Sequence, residues 1–206
     1  MVEGVAVFPD EEFRRRSEAL QREIAAEGLR ALLLTTPADI FYVTGFLTRF
    51  WESPARPWFV IVPEAGAPVA VIPSIGAALM GRTWLTDVRT WDAPDPADDG
   101  VSLLVETLCD LVPEDERIGV PMGPETHLRM PLADYALVAA SIAPRHFADA
   151  TGPLRRVREV KSEAEIDRIR QTCAVADAAF ARVPELARAG VPLATVFRRF
   201  QIGRAH

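Results

Sequence analysis

Leu154–Arg170, LRRVREVKSEAEIDRIR, decides how this chain is organised. Ser162 followed three residues later by Glu165 is a capping box, which sets a helix start just after Lys161. Beyond it Ile166, Ile169, Cys173, Ala176, Phe180 and Val183 recur at three- and four-residue spacing. Such a stripe is one face of a helix that must bury against something. About two dozen residues follow Val183, too few for a partner domain. The seam therefore predicts a first domain over residues 1–150 and a linker over 151–161. Residues 162–200 would be the opening helices of a second domain that begins and then stops.

Upstream of the seam, strand and helix patterns alternate. Asp10 is placed to cap a helix, with Glu11 and Glu12 in a first turn where the helix dipole favours acids. Phe13, Ser17, Leu20 and Ile24 line one face of it, and Gly28 supplies a left-handed stop. Leu29–Leu34 is an apolar run of the kind a buried strand needs. Thr36 and Pro37 open a short helix carrying Ile40–Val43, and Gly45 closes it. Trp58–Val62 and Val69–Ile72 flank a Pro63–Gly66 turn and predict a hairpin. A helix around Ile75–Met80 and a strand at Asp87–Trp91 follow, then an acidic proline loop, Asp92–Gly100. Helix Val101–Leu111, strand Arg117–Met122, helix Glu125–Ile142 and strand Arg145–Phe147 complete the run. Alternation with one internal hairpin predicts an α/β domain, a mixed sheet flanked by helices. Pro192 opens a last helix, through Phe200. The end, Gln201–His206, fits nothing before it and matches the translation of a common sequencing-adapter sequence, so residues 201–206 are expected to be an artefact tail.

The chain has 206 residues, 49% of them apolar and 25% charged, which is ordinary globular composition. A net charge of −6 argues against a nucleic-acid or anionic-membrane partner, since either needs a basic face. The arginine runs Arg14–Arg16 and Arg155–Arg158 lie among acids, as a solvated helix face or linker would. MVEGVAVFPDEEF lacks a basic start and a long apolar core, and no apolar run is long enough to span a bilayer, so a cytoplasmic location is expected. Cys109 and Cys173 sit in apolar helical patterns and are expected to be buried, reduced thiols. His127, His146 and His206 show no metal-ligand spacing, and no nucleophile elbow, dinucleotide fingerprint or P-loop is present. Asp98-Asp99, beside prolines, reads as a turn that caps the next helix.

Asp39–Phe46, DIFYVTGF, resembles a signature of the creatinase, prolidase and aminopeptidase P amino-terminal domain. Leu154-Arg155, Lys161–Ile166 and Ile169-Arg170 resemble the same family's junction between its two domains. The motifs stand about a hundred residues apart in the expected order, and the likeness runs from Phe13 to Phe200. It implies a ribonuclease-H-like amino-terminal domain joined to a helical stub of a pita-bread catalytic domain. In that family the second domain holds a pair of divalent metals (Mn, Zn, Co or Fe) on two Asp, one His and two Glu. No cofactor is therefore expected in this fragment, which would not be catalytic by itself.

The resemblance also implies a homodimer in which one subunit's amino-terminal domain walls the other's active site, with a small peptide or small-molecule substrate. The aperiodic stretch Leu47–Pro57 follows the signature directly. Within and beside it, Phe50, Trp51, Glu52, Arg56 and Trp58 offer stacking, cation–π and ion-pairing groups and are the candidate substrate-access loop. A loop packed on its own domain is the competing reading. The parent activity implied is that of a metal-dependent Xaa-Pro aminopeptidase, prolidase or creatinase-like hydrolase. WESPARPW at 51–58, with Trp91 and Asp98–Gly100, is similar to the family's dimethylsulfoniopropionate lyase branch, which stays open as an alternative. So do a non-catalytic peptide-binding module and a self-contained small α/β enzyme, the latter without a visible nucleophile–base pair.

Overall fold

A computed structural model describes residues 8–52 and 56–204. The chain divides into two units, Met1–Val160 and Lys161–His206. The first unit is built on a six-stranded sheet of β1 (Ala31–Leu34), β2 (Phe59–Pro63), β3 (Val69–Pro73), β4 (Asp87–Trp91), β5 (Arg117–Val120) and β6 (His146–Asp149). The strand order is β4-β3-β2-β1-β5-β6. β1–β2 and β2–β3 are antiparallel, whereas β3–β4, β1–β5 and β5–β6 are parallel, so the sheet is mixed as the alternation implied.

The three central strands, ALLL, FVIVP and VAVIP, are buried along their whole length. A strand covered on both faces has no solvent side, so its apolar run is continuous and not alternating. One face carries Ala31, Leu33, Phe59, Ile61, Val69 and Val71 against Leu104, Leu108 and Val138. These last belong to α4 (Val101–Leu111) and α5 (Leu132–Ser141). The other face is packed by α1 (Asp10–Ala26), which buries Phe13, Ser17, Leu20 and Ile24. The two edge strands, DVRTW and HFAD, are half-exposed and carry charge. On β4, Arg89 bridges Asp87 and Asp110 of α4, which leaves that edge a poor template for another strand.

Local signals fixed α2 (Pro37–Thr44) closely. Proline chemistry displaced others. Pro9, not Asp10, stands at the cap of α1, and Asp10 is its first helical residue. The expected helix Glu125–Ile142 begins at Leu132, because Pro131 pushes the residue before it out of helical conformation. Ile75–Met80 is a 3-10 turn followed by the single turn α3 (Ala77–Met80). The largest difference lies at the seam. Residues 151–159, expected as a linker, form α6 (Thr151–Glu159) packed along α1. Leu154 is buried, and Arg156 pairs with Glu23 and Glu27, both at 2.5 Å. What reads as a charged linker is the solvent side of a docked helix.

The second unit begins with α7 (Glu163–Ala181), whose Ser162/Glu165 capping box is formed in both directions. α8 (Val183–Leu186) and α9 (Leu193–Arg204) pack on α7, with Phe180 and Phe200 ring centroids 5.3 Å apart. The backbone of Gln201–Arg204 continues α9, against the expectation that it fits nothing before it; Ala205 and His206 lie outside the described residues. No residue of α7 is buried, and Ile169, Val175, Phe180 and Phe197 are each about half exposed or more. Cys173 is exposed and Cys109 half-buried, against the expectation of two buried thiols.

Candidate functional site

The candidate site begins with α2, where the signature residues explain themselves. Thr36 caps the helix, its hydroxyl accepting from Asp39 N at 3.2 Å and donating to the Asp39 carboxylate at 2.6 Å. Gly45 ends it at a φ of 76°, and a Cβ there would stand 2.7 Å from the Phe13 ring. A left-handed position closed off by an aromatic ring admits glycine alone without strain. Thr44 donates its hydroxyl to Ile40 O at 2.6 Å and accepts from Phe46 N at 2.9 Å. Tyr42 lies between two guanidinium groups, Arg16 at 4.5 Å and Arg158 at 5.4 Å. Arg158 also pairs with Asp39. The signature thus clamps α2 between α1 and α6 and fixes where the chain leaves it.

It leaves into an aromatic cluster. Phe46 and Trp58 are both 1% exposed, with ring centroids 5.3 Å apart. Trp51 meets Phe46 edge-on at 6.2 Å and Trp58 at 5.5 Å. Phe50 stacks on Trp58 at 6.5 Å, with 23° between the rings. A Cβ on Gly76 would collide with the Trp58 ring, so close backbone approach there requires glycine. Phe50, Arg56, Trp58 and Ile75 line a shallow open pocket of about 30 Å³. That is far below the roughly 300–1,000 Å³ of a self-sufficient ligand site.

The structure therefore brings Phe50, Arg56 and Trp58 together around one pocket. Trp51 packs in the cluster behind it without lining the pocket, and Glu52 is exposed and outside it. Two contributors escaped the sequence reading. Ile75 comes from the turn after β3 and is 56% exposed. Arg129 comes from the segment between β5 and α5, its guanidinium 5.0 Å from the Trp51 ring and its Nη1 donating to Arg56 O at 2.8 Å. Burial lowers the Arg129 pKa from the ordinary guanidinium value. Pro131 breaks the helix expected across Arg129, but the contacts of Arg129 are with residues far off in sequence.

The Asp98-Asp99 turn is held by bonds within the fold. Asp98 accepts from Ser102 N at 3.0 Å and from the Ser102 hydroxyl, bonds that hold its carboxyl below the ordinary carboxylate range. Asp99 accepts from the Trp91 indole at 3.1 Å. His127 and His146 are exposed. Among the described residues no three His, Cys, Asp or Glu converge as metal ligands, so these residues do not fit the metal pair implied by the sequence resemblance. No described helix is long and apolar enough to cross a membrane.

Comparison with known proteins agrees with the geometry. A probable dipeptidase PepE of Mycobacterium tuberculosis is 32% identical over 187 residues, 88% of this chain and 45% of that protein. The crystal structure of dipeptidase PepE from Mycobacterium ulcerans superposes with a TM-score of 0.75 at 24% identity, covering 96% of this chain and 50% of that one. A prolidase structure from Thermococcus sibiricus gives 0.76 at 18% identity, covering 93% and 49%. The chain spans about half the length of the relatives it matches. Residues 16–160 match the Creatinase/Prolidase N-terminal domain, which takes in the sheet, the signature helix and the aromatic cluster alike; the chain belongs to that family.

Proposed function

We propose that this chain is the substrate-access and dimerisation part of a metal-dependent hydrolase acting on short Xaa-Pro peptides, and that it is not catalytic by itself. The observation that carries the reading is the incomplete pocket at Phe50, Arg56, Trp58 and Ile75, open on one side and rimmed by exposed apolar groups. An exposed aromatic ring beside an arginine suits a small peptide, whose apolar body packs on Phe50, backed by the buried Trp58, and whose carboxylate meets the guanidinium. Phe50 and Ile75, 46% and 56% exposed, are the groups a second subunit would cover, giving a homodimer. The Mn, Zn, Co or Fe pair of the parent enzyme belongs to a catalytic part outside the described residues, with 162–200 as its opening helices.

The test is hydrolysis of Xaa-Pro dipeptides by a protein carrying this chain together with such a catalytic part. Arg56→Ala is expected to lower kcat/KM at least about tenfold, chiefly through KM, as loss of a charged contact to substrate should. Unchanged kinetics in Arg56→Ala and Phe50→Ala would refute the access-loop role.

A further inference from the structure

Trp51 is held in an unusual way. Its indole nitrogen is buried and has no hydrogen-bond partner among the described residues. Two aromatic neighbours, Phe46 and Trp58, meet it at interplanar angles of 80° and 51°. The polar contact on its face is Arg129.

Arg129 is itself well anchored. Its backbone N donates to the Thr35 hydroxyl at 2.9 Å, at the end of β1, while Nη1 reaches Arg56 O at 2.8 Å. The segment that carries it is pinned at its start, where Gly123 N donates to the Thr151 hydroxyl at 2.8 Å and Met122 N to Asp149 at 3.0 Å. Arg155 of α6 donates to Pro124 O at 2.5 Å. One residue thus links the end of β1, the Trp51 ring and the backbone of Arg56. These three points lie far apart in sequence, and nothing else described joins all three.

We infer that Arg129 is the positioning residue of the aromatic site, holding the Trp51 indole and the Arg56 backbone so that the pocket is formed before any ligand or second subunit arrives. The inference rests on the access-loop reading for its functional meaning, although its geometry does not. A planar guanidinium can stack on an indole and donate in its own plane at the same time, which an ammonium cannot. Partial burial shields the cation from some of the competing water and strengthens its attraction to the ring. A preformed pocket spares the ligand the cost of ordering two loops at the moment of binding.

The test is hydrogen exchange at the tryptophan indole N–H groups, followed by NMR in the parent chain, Arg129→Ala and Arg129→Lys. Among the described residues the Trp51 N–H has no bond to protect it, so its exchange is slowed by burial and sped by loosening of the loop. The Trp84 and Trp91 indoles, bonded to Val43 O at 2.8 Å and to Asp99 at 3.1 Å, are internal controls. In Arg129→Ala the Trp51 signal is expected to exchange about tenfold faster, the order set by loss of a desolvated cation–π contact, with both controls unchanged. Arg129→Lys should give a smaller acceleration confined to Trp51, and it carries the comparison should the alanine variant not fold. Unchanged Trp51 exchange overturns the inference. Equal acceleration at all three indoles overturns it too, since Arg129 would then support the fold in general. No substrate is involved, so the access-loop reading can fail in the kinetics of Arg56→Ala while this one stands.

Discussion

Gly45 shows how much one residue carries. Its φ of 76° and the Phe13 ring beside it leave no room for a side chain, and the turn it makes delivers Phe46 into the aromatic cluster. Gly45→Ala is expected to cost about 2 kcal/mol or more in urea unfolding, from left-handed strain together with the clash against Phe13. This residue was legible in the sequence, because helix stops are written locally in glycine. Arg129 was not. Its role depends on partners 94 and 73 positions away, Thr35 and Arg56, and no local pattern records such meetings. Of the five residues singled out in the access loop, Phe50, Arg56 and Trp58 meet at the pocket. Trp51 stands behind them and Glu52 apart, because aromatic residues close in sequence share a cluster without sharing a face.

Among the elements, those whose caps and periods are local could be read directly: α2, α4 and the β2–β3 hairpin. α6 could not. Its charged side faces water, and its apolar groups, Pro153, Leu154 and Val157, are few among arginines in a helix only nine residues long. Its docking on α1 is tertiary. The turn into α6 is set by Asp149, which accepts from Thr151 N at 2.9 Å, the Thr151 hydroxyl at 2.5 Å and Met122 N at 3.0 Å. The Thr151 hydroxyl above all holds the Asp149 carboxyl below the ordinary carboxylate range, with burial opposing. A carboxyl whose folded pKa is depressed stabilises the fold above its unfolded value and stops doing so as pH falls through the folded one. Asp149→Ala is therefore expected to lower Tm by about 3 °C at pH 7. That gap should narrow as the solution is acidified below about pH 4, where the parent carboxyl begins to take up its proton. Thermal melts followed by circular dichroism across that range check both the size and the sign.

At the scale of the whole molecule, the first unit owns its core. Its sheet is covered on both faces by its own helices, and α6 closes it at Val160. Limited proteolysis is expected to leave a resistant core that keeps α6, ending near Val160 and not near residue 150. A core that loses α6 with the second unit would mean that the docking on α1 is weak. The alternation of strands and helices made the mixed sheet legible. The place where the first unit ends was not, for the reason given for α6.

The guarded edge at β4 has a further consequence during synthesis. A ribosome adds about 5–20 residues per second, so the finished sheet waits for seconds while the following helices are made. On a polysome, identical nascent sheets stand close together at high local concentration, the condition under which open strand edges pair between chains. Arg89, held across the edge between Asp87 and Asp110, puts desolvation of charge in the way of that pairing. The same desolvation cost would oppose edge pairing in that interval, when the neighbouring chains are copies of this one.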